Sequence, residues 1–319
     1  MKPFFFLFTM FLISCGPAAK EKHEEVIDHA ENPKVSLYVL GTVQDGGSPH
    51  IGCKRSCCED LFQNPDPKRK VVSLGVVDNE NQRSYLFEAS PDLPSQLKSL
   101  KEFSGKPTET PDGILLTHAH IGHYAGLMYL GREALGSNGV PVFTMPRMKS
   151  FLETNGPWEQ LIDLKNIELN EMGFDQEQKL SSNVTIIPFR VPHRDEYSET
   201  VGFTIMGPNK SVLFIPDIDK WFKWERDIAK EIEKVDLAFL DATFFDAAEI
   251  NNRDIAEIPH PFVIESMERF DHLPSSEREK IHFIHFNHTN PLLNSKSEAY
   301  KTVTEQGFRV AGFHQRFGL

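Results

Sequence analysis

The segment His118-Ala-His120-Ile-Gly-His123 puts three imidazoles within six residues. Imidazole is a costly core filler unless its nitrogens are satisfied, so packing alone does not account for three together. Neutral imidazole nitrogen is, by contrast, a common ligand for zinc and related ions. A turn at a strand end can converge several such rings on one ion, and the cluster therefore predicts a metal site. The cysteines point the same way. Of 4 Cys, Cys15 closes an apolar N-terminal run, which leaves Cys53, Cys57 and Cys58. An odd number is a poor disulfide framework and a better metal site. A metal with an open position lowers the pKa of bound water from about 16 towards 7 and polarises a substrate oxygen. The chemistry expected is attack by activated water on a carbonyl or a phosphorus.

The elements around the cluster follow from hydrophobic pattern. Residues 114–117 read as a short apolar strand that delivers the histidines, and residues 124–135 as a helix stopped near Gly136. Upstream, residues 35–40 read as a buried strand running into the glycine-rich turn 41–47. Residues 71–77 and 84–88 read as strands joined by the turn Asp78-Asn-Glu-Asn81, and residues 94–101 as a helix. Downstream, strands are expected at 184–187, 200–206, 211–215, 236–240, 281–286 and 308–311, with helices at 221–233, 262–270 and 295–306. This order, β-rich, helix, β-rich, helix, suits an α/β fold of two packed mixed sheets with helices on the outer faces. No Pro-, Gly- or Ser-rich linker divides it.

Charge and the first residues limit the partners. With 319 residues the chain is long enough for one large domain, and a net charge of −12 disfavours nucleic acid as partner. Lys2 and the apolar run 4–13 read as a targeting segment, too short to span a membrane comfortably. Its end, Leu12-Ile13-Ser14-Cys15, resembles the bacterial lipobox. That resemblance implies a signal peptide over 1–14, a lipidated Cys15, a charged flexible tether over 15–34 and a folded domain over 35–319. The protein would then sit in the cell envelope, anchored to a bacterial membrane, outer membrane for preference, and would act on a small molecule.

Thr117-His-Ala-His-Ile-Gly-His123 resembles the metallo-β-lactamase signature H-x-H-x-D-H. Further matches follow in order: His193 in Val191-Pro-His-Arg194, Asp217 in Phe214-Ile-Pro-Asp-Ile218, and His285 in Phe283-Ile-His-Phe286. The resemblance implies the αββα sandwich of that superfamily. It also implies that His118, His120 and His193 hold one metal, Asp217 bridges, and His123 with His285 hold a second. The family's Asp is Gly122 here, which puts the second site in doubt unless another carboxylate replaces it; Asp45, Asp92 and Asp219 are the candidates.

Residues 40–53, Ala89-Ser-Pro-Asp92 and Asn287-His-Thr-Asn-Pro-Leu292 are similar to the coenzyme PQQ synthesis protein B family, which stands beside the phosphoribosyl cyclic phosphodiesterases and ribonuclease Z. By that wider likeness Cys53, Cys57, Cys58 and His288 would hold a structural zinc, with His50 a rival ligand. Also by likeness, His260 after Leu240-Asp-Ala-Thr-Phe244 would be the general acid for a leaving oxygen, with Asp241 orienting it and Asp217 steering the water.

The leading expectation is a lipid-anchored, zinc-dependent ester or phosphodiester hydrolase of the PqqB-like branch. A second is iron-dependent oxidation of a tyrosine-derived or quinone precursor, since His and Asp suit iron, and manganese too. A third is a non-catalytic binding lipoprotein on a degenerate enzyme fold. Trp221-Phe-Lys-Trp224 reads as a helix packing face. Specificity is expected from loops over the metal at 136–145, 158–170 and 246–259.

Overall fold

Strands buried on both faces must be apolar at nearly every position, and residues 35–41 and 211–215 have that character. Along the first, Leu37 and Val39 point into a core between two sheets while Tyr38 and Leu40 point to the helices outside. Along the second, Val212 and Phe214 face the same central core and Leu213 and Ile215 face the opposite helical layer. The structure, a computed structural model, describes residue 1, residues 33–251 and residues 253–319. Cys15, nearly all of the expected signal segment and most of the expected tether lie outside the described residues.

Among these residues there are fourteen strands. They are β1 (Val35–Gly41), β2 (Ser73–Asp78), β3 (Arg83–Phe87), β4 (Gly113–Leu115), β5 (Val140–Thr144), β6 (Ile167–Glu171) and β7 (Gln178–Lys179), then β8 (Thr185–Arg190), β9 (Val201–Met206), β10 (Ser211–Ile215), β11 (Leu237–Asp241), β12 (Ile281–Ile284), β13 (Arg309–Val310) and β14 (Arg316–Gly318). They form two seven-stranded mixed sheets, ordered β14-β1-β2-β3-β4-β5-β6 and β13-β12-β11-β10-β9-β8-β7. In each sheet one half is an antiparallel meander and the other half is parallel.

Helices Leu93–Ser104, Pro146–Thr154 and Trp158–Asp163 cover the outer face of the first sheet. Helices Ile228–Glu233, Val263–Phe270 and Glu298–Glu305 cover the second. This is the metallo-β-lactamase-type αββα sandwich. No helix among the described residues is long and apolar enough to cross a membrane.

Several elements differ from expectation for local reasons. The helix expected over 124–135 is a short α-turn, Ile121–Tyr124, followed by a 3-10 segment, Ala125–Leu130. Gly126 lies against the loop after β3, its N–H bonded to Ala89 O at 2.8 Å, which tightens the turn. The helix expected over 221–233 is two pieces, Trp221–Lys223 and Ile228–Glu233, the second started by the Asp227 carboxylate accepting from Ala229 N. Two segments expected to arch over the site are instead part of the sandwich: β5 lies within 136–145, and helix Trp158–Asp163 with most of β6 fills 158–170. The third, 246–259, contains the 3-10 turns Ala247–Ile250 and Ile255–Glu257.

Candidate metal centre

Six strand ends bring the predicted ligands and their neighbours to one edge of the sandwich. β1 runs on to Asp45, β3 to Glu88, β4 to the three histidines, β8 to His193, β10 to Asp217 and Asp219, and β12 to His285. Both sheets therefore contribute. Two of these side chains are aimed by unusual backbone: His285 has φ 68° and Glu88 φ 75°, left-handed conformations that cost non-glycine residues about 1–3 kcal/mol.

The predicted ligand atoms, with Asp45, form two groups that share Asp217, and Asp217 also belongs to a third group with Asp241, His260 and His285. His118, His120, His193 and Asp217 each offer an atom within 4.8 Å of all the others, and so do Asp45, His123, Asp217 and His285. In the first group Asp217 Oδ2 lies 3.3 Å from His118 Nε2, 3.8 Å from His120 Nδ1 and 3.2 Å from His193 Nε2. In the second, Asp45 Oδ1 lies 3.0 Å from His123 Nε2 and 3.3 Å from His285 Nε2, while Asp217 Oδ2 is 3.9 Å from His123 Nε2.

Outward-facing nitrogens are braced. Thr117 Oγ1 meets His118 Nδ1 at 2.8 Å, Asp219 Oδ1 meets His193 Nδ1 at 3.2 Å, and Thr243 Oγ1 meets His285 Nδ1 at 2.9 Å. Glu88 Oε2 lies 3.4 Å from His123 Nδ1, facing it without a hydrogen bond among the described residues. Such outer partners fix ring orientation at metal sites and raise ligand basicity.

These residues fit a divalent ion. His123 Nε2, His193 Nε2 and Asp217 Oδ1 are buried and make no hydrogen bond among the described residues, a costly state that a cation relieves. Burial alone would raise the Asp217 carboxyl, but His193 and His260 around it hold it well below the usual carboxylate range. Burial and the neighbouring His123 push His118 well below the ordinary histidine value, towards the neutral ligand form.

His260 and Asp241 sit behind Asp217. His260 Nδ1 is 2.9 Å from Asp241 Oδ2 and 3.1 Å from Asp217 Oδ1, and its Nε2 makes no hydrogen bond among the described residues. Asp241 is fully buried and also accepts from Ile218 N, Thr243 N and Thr243 Oγ1. One carboxylate thus ties together the loops carrying Asp217, His260 and, through Thr243, His285. Nearby, buried Lys220 pairs with Glu265, which caps Phe262 N at 2.8 Å and so steadies the loop holding His260.

The cysteine group lies apart. Cys53, Cys58 and His288 offer atoms within 4.8 Å of one another. Cys57 Sγ is 3.8 Å from Cys53 Sγ and 4.0 Å from Cys58 Sγ but stands outside that trio. His50 stacks on His288 at 4.5 Å, and its Nδ1 accepts from Gly52 N. His288 Nδ1 is buried and makes no hydrogen bond among the described residues.

The three carboxylates considered as replacements at Gly122 separate clearly. Asp92 accepts from Val71 N and pairs with Lys70. Asp219 braces His193 from outside and pairs with Lys223. Asp45 alone reaches the inward nitrogens. Glu88, Thr243 and Lys220 were not foreseen from sequence. For Glu88 the available signal was an acid closing an apolar strand. The aromatic group divides: Trp221 and Trp224 are buried, bonded through Nε1 to Ser266 Oγ and Arg190 O, and Phe222 is exposed.

A two-sheet sandwich with histidine and aspartate ligands at its strand ends defines a class, and the sequence agrees: residues 83–286 match the Beta-lactamase superfamily domain, and the chain belongs to that superfamily. Over 303 residues it is 25% identical to the coenzyme PQQ synthesis protein B of Methylococcus capsulatus, covering 86% of this chain and 97% of that protein. Its fold is similar to that of Zn(2+)-bound PqqB from Methylobacterium extorquens, with TM-score 0.71 and 21% identity over 89% of this chain and 100% of that one. It is also similar to a diphosphatase from the PhnP family, with TM-score 0.60 and 20% identity over 89% and 96%.

Proposed function

We propose that this protein is a metal-dependent hydrolase of the PqqB-like branch, cleaving an ester or phosphodiester. The observation that carries this is the buried Asp217, shared by two sets of ligands and faced by orphaned imidazole nitrogens. A divalent ion there would supply Lewis acidity, polarising a carbonyl or phosphoryl oxygen and acidifying water at the same centre. His118, His120 and His193 would hold it, with Asp217 between the two groups. Asp217 Oδ1, which makes no hydrogen bond among the described residues, would orient the attacking water. His260 delivers a proton from Nε2 to the departing oxygen, because Asp241 holds Nδ1 and favours the charged ring. Thr243 keeps His285 in register with Asp241. Cys53, Cys58 and His288, with Cys57 beside them, would hold a structural zinc that pins the segment following Asp45.

The full chain should hydrolyse bis(p-nitrophenyl) phosphate or p-nitrophenyl acetate. A strong chelator and His118→Ala should each abolish the rate, and activity that survives both overturns the reading. His260→Ala should slow release of an alkyl alcohol far more than release of nitrophenol. A PqqB-like oxidation draws support from the 25% identity to PQQ synthesis proteins across 86% of the chain. Metal analysis without added metal, combined with an oxygen-uptake assay, separates the two: iron and oxygen consumption would favour oxidation. We further propose that Cys15 is lipidated and anchors the domain to a bacterial membrane. Cys15→Ala should lose both palmitate labelling and membrane fractionation.

A further inference from the structure

Position 122 is glycine where the resembling signature has a carboxylate, and the space such a side chain would need is already filled. A Cβ built on Gly122 would lie 2.6 Å from Asp45 Cγ and 2.7 Å from Asp45 Cα, well inside contact distance. The Asp45 side chain lies across the face of this glycine, only 12% exposed. From there its Oδ1 reaches His123 Nε2 at 3.0 Å and His285 Nε2 at 3.3 Å. Both rings have their other nitrogen facing Glu88 or Thr243, so the nitrogens turned to Asp45 are the ones left for a cation.

The loop carrying Asp45 is stitched to the chain just beyond His285. Gln44 N donates to Phe286 O at 2.8 Å, Phe286 N donates to Thr42 O at 2.8 Å, and Val43 bridges Phe286. Gly46 N and Gly47 N close on Gln44 Oε1 and Gln44 O, fixing the turn that projects Asp45 inward.

We propose that Asp45 is the carboxylate ligand of a second metal position formed with His123, His285 and Asp217, so that the centre is dinuclear despite Gly122. Asp45 and Gly122 then form an exchanged pair: the acid has moved from the loop after β4 to the loop after β1, and glycine at 122 is the vacancy that admits it. Two carboxylates and two imidazoles make a donor set suited to zinc, manganese or iron.

This rests on the metal-centre reading above, and the test keeps the two apart. The full chain is stripped and reloaded with Zn2+. Bound metal is then measured per chain, and anomalous scattering from crystals counts the ions at the histidine centre separately from any at the cysteines. The wild type should hold two ions there. Asp45→Ala should lose the ion beside His123 and His285 and keep the one at His118. The stripped variant's melting temperature shows that the fold is intact, and Asp45→Asn is the isosteric check. The double variant Asp45→Gly, Gly122→Asp should regain the lost ion. A single ion in the wild type, or an unchanged count in Asp45→Ala, overturns the proposal. No ion at the histidine centre in any variant overturns the metal-centre reading itself.

Discussion

Each imidazole of the centre has two nitrogens, and what holds the outer one governs how well the inner one binds. Glu88 shows this most sharply. Its carboxylate is fully buried, its backbone is strained at φ 75°, and it faces His123 Nδ1 at 3.4 Å while neither of its oxygens makes a hydrogen bond among the described residues. A buried acid held in an unfavourable backbone is costly unless it serves a charged neighbourhood. Glu88→Ala should weaken metal binding at the His123 position by about 10–100-fold, as expected for loss of an outer partner. Competition with a chromogenic chelator measures this, and affinity within about twofold of wild type would show that Glu88 has no such role. At this scale the sequence was most legible where residues of one type cluster. His118, His120 and His123 announce themselves, and His193, Asp217 and His285 follow once a family pattern is at hand. Glu88, Thr243 and the choice among Asp45, Asp92 and Asp219 were not legible, because they depend on which strand ends become neighbours across the two sheets.

At the scale of elements, the histidine loop is held by a backbone clasp with the loop after β3. Ala89 N donates to His123 O at 2.9 Å and Gly126 N donates to Ala89 O at 2.8 Å. The approach is too close for a side chain, since a Cβ on Gly126 would lie 2.8 Å from Ala89 O and overlap Ser90 O. Gly126→Ala should therefore destabilise the fold by about 1–3 kcal/mol, or somewhat more, and loosen the metal, read as a lower urea midpoint and a weaker zinc affinity. An unchanged midpoint would mean that the clasp yields freely. The same clasp explains why the helix expected over 124–135 is cut into a short α-turn and a 3-10 segment. Other elements were missed for different reasons. Ile167-Glu-Leu-Asn-Glu171 alternates cleanly and carried a strand signal. Val140–Thr144 contains Pro141, which ordinarily argues against a strand with neighbours on both sides.

At the scale of the whole molecule, the two sheets are latched far from the centre by Asp78. This buried carboxylate ends β2 and accepts from Asn81 N, Asn81 Nδ2, Ser181 Oγ and Asn183 Nδ2, the last two in the turn leading into β8. Burial alone would raise its pKa, but the donors from Ser181 and Asn81 outweigh this and hold it below the ordinary carboxylate value. The folded pKa is therefore the lower of the two. The stabilisation is complete above the unfolded value, near 3.9, and is lost as pH falls through the folded one. Asp78→Asn should lower stability at neutral pH by about 1–3 kcal/mol and flatten the fall in stability on acidification below about pH 4. Urea titrations across pH measure both, and an unaltered acid slope would mean that Asp78 does not titrate with unfolding. The sandwich itself was legible from strand and helix order, because apolar runs and their alternation survive without knowledge of partners. The pairing of the sheets across Asp78 was not, since it joins residues about a hundred positions apart.

Asp45 and His285 meet at a chain separation of 240 residues, and the other inward groups come from loops on both sheets. Such a set does not exist in a half-assembled chain, and closing so long a loop precedes any benefit from the contact. A cation would accordingly have nothing to hold during the search for the fold and much to hold afterwards. Ligands that bind only the finished state leave the folding barrier almost untouched and deepen the native well. Saturating zinc should slow unfolding in urea jumps by roughly tenfold or more while leaving the refolding rate within about twofold of that of the stripped chain. The ion would then work as a kinetic lock, closing behind a structure that the polypeptide has already found by itself.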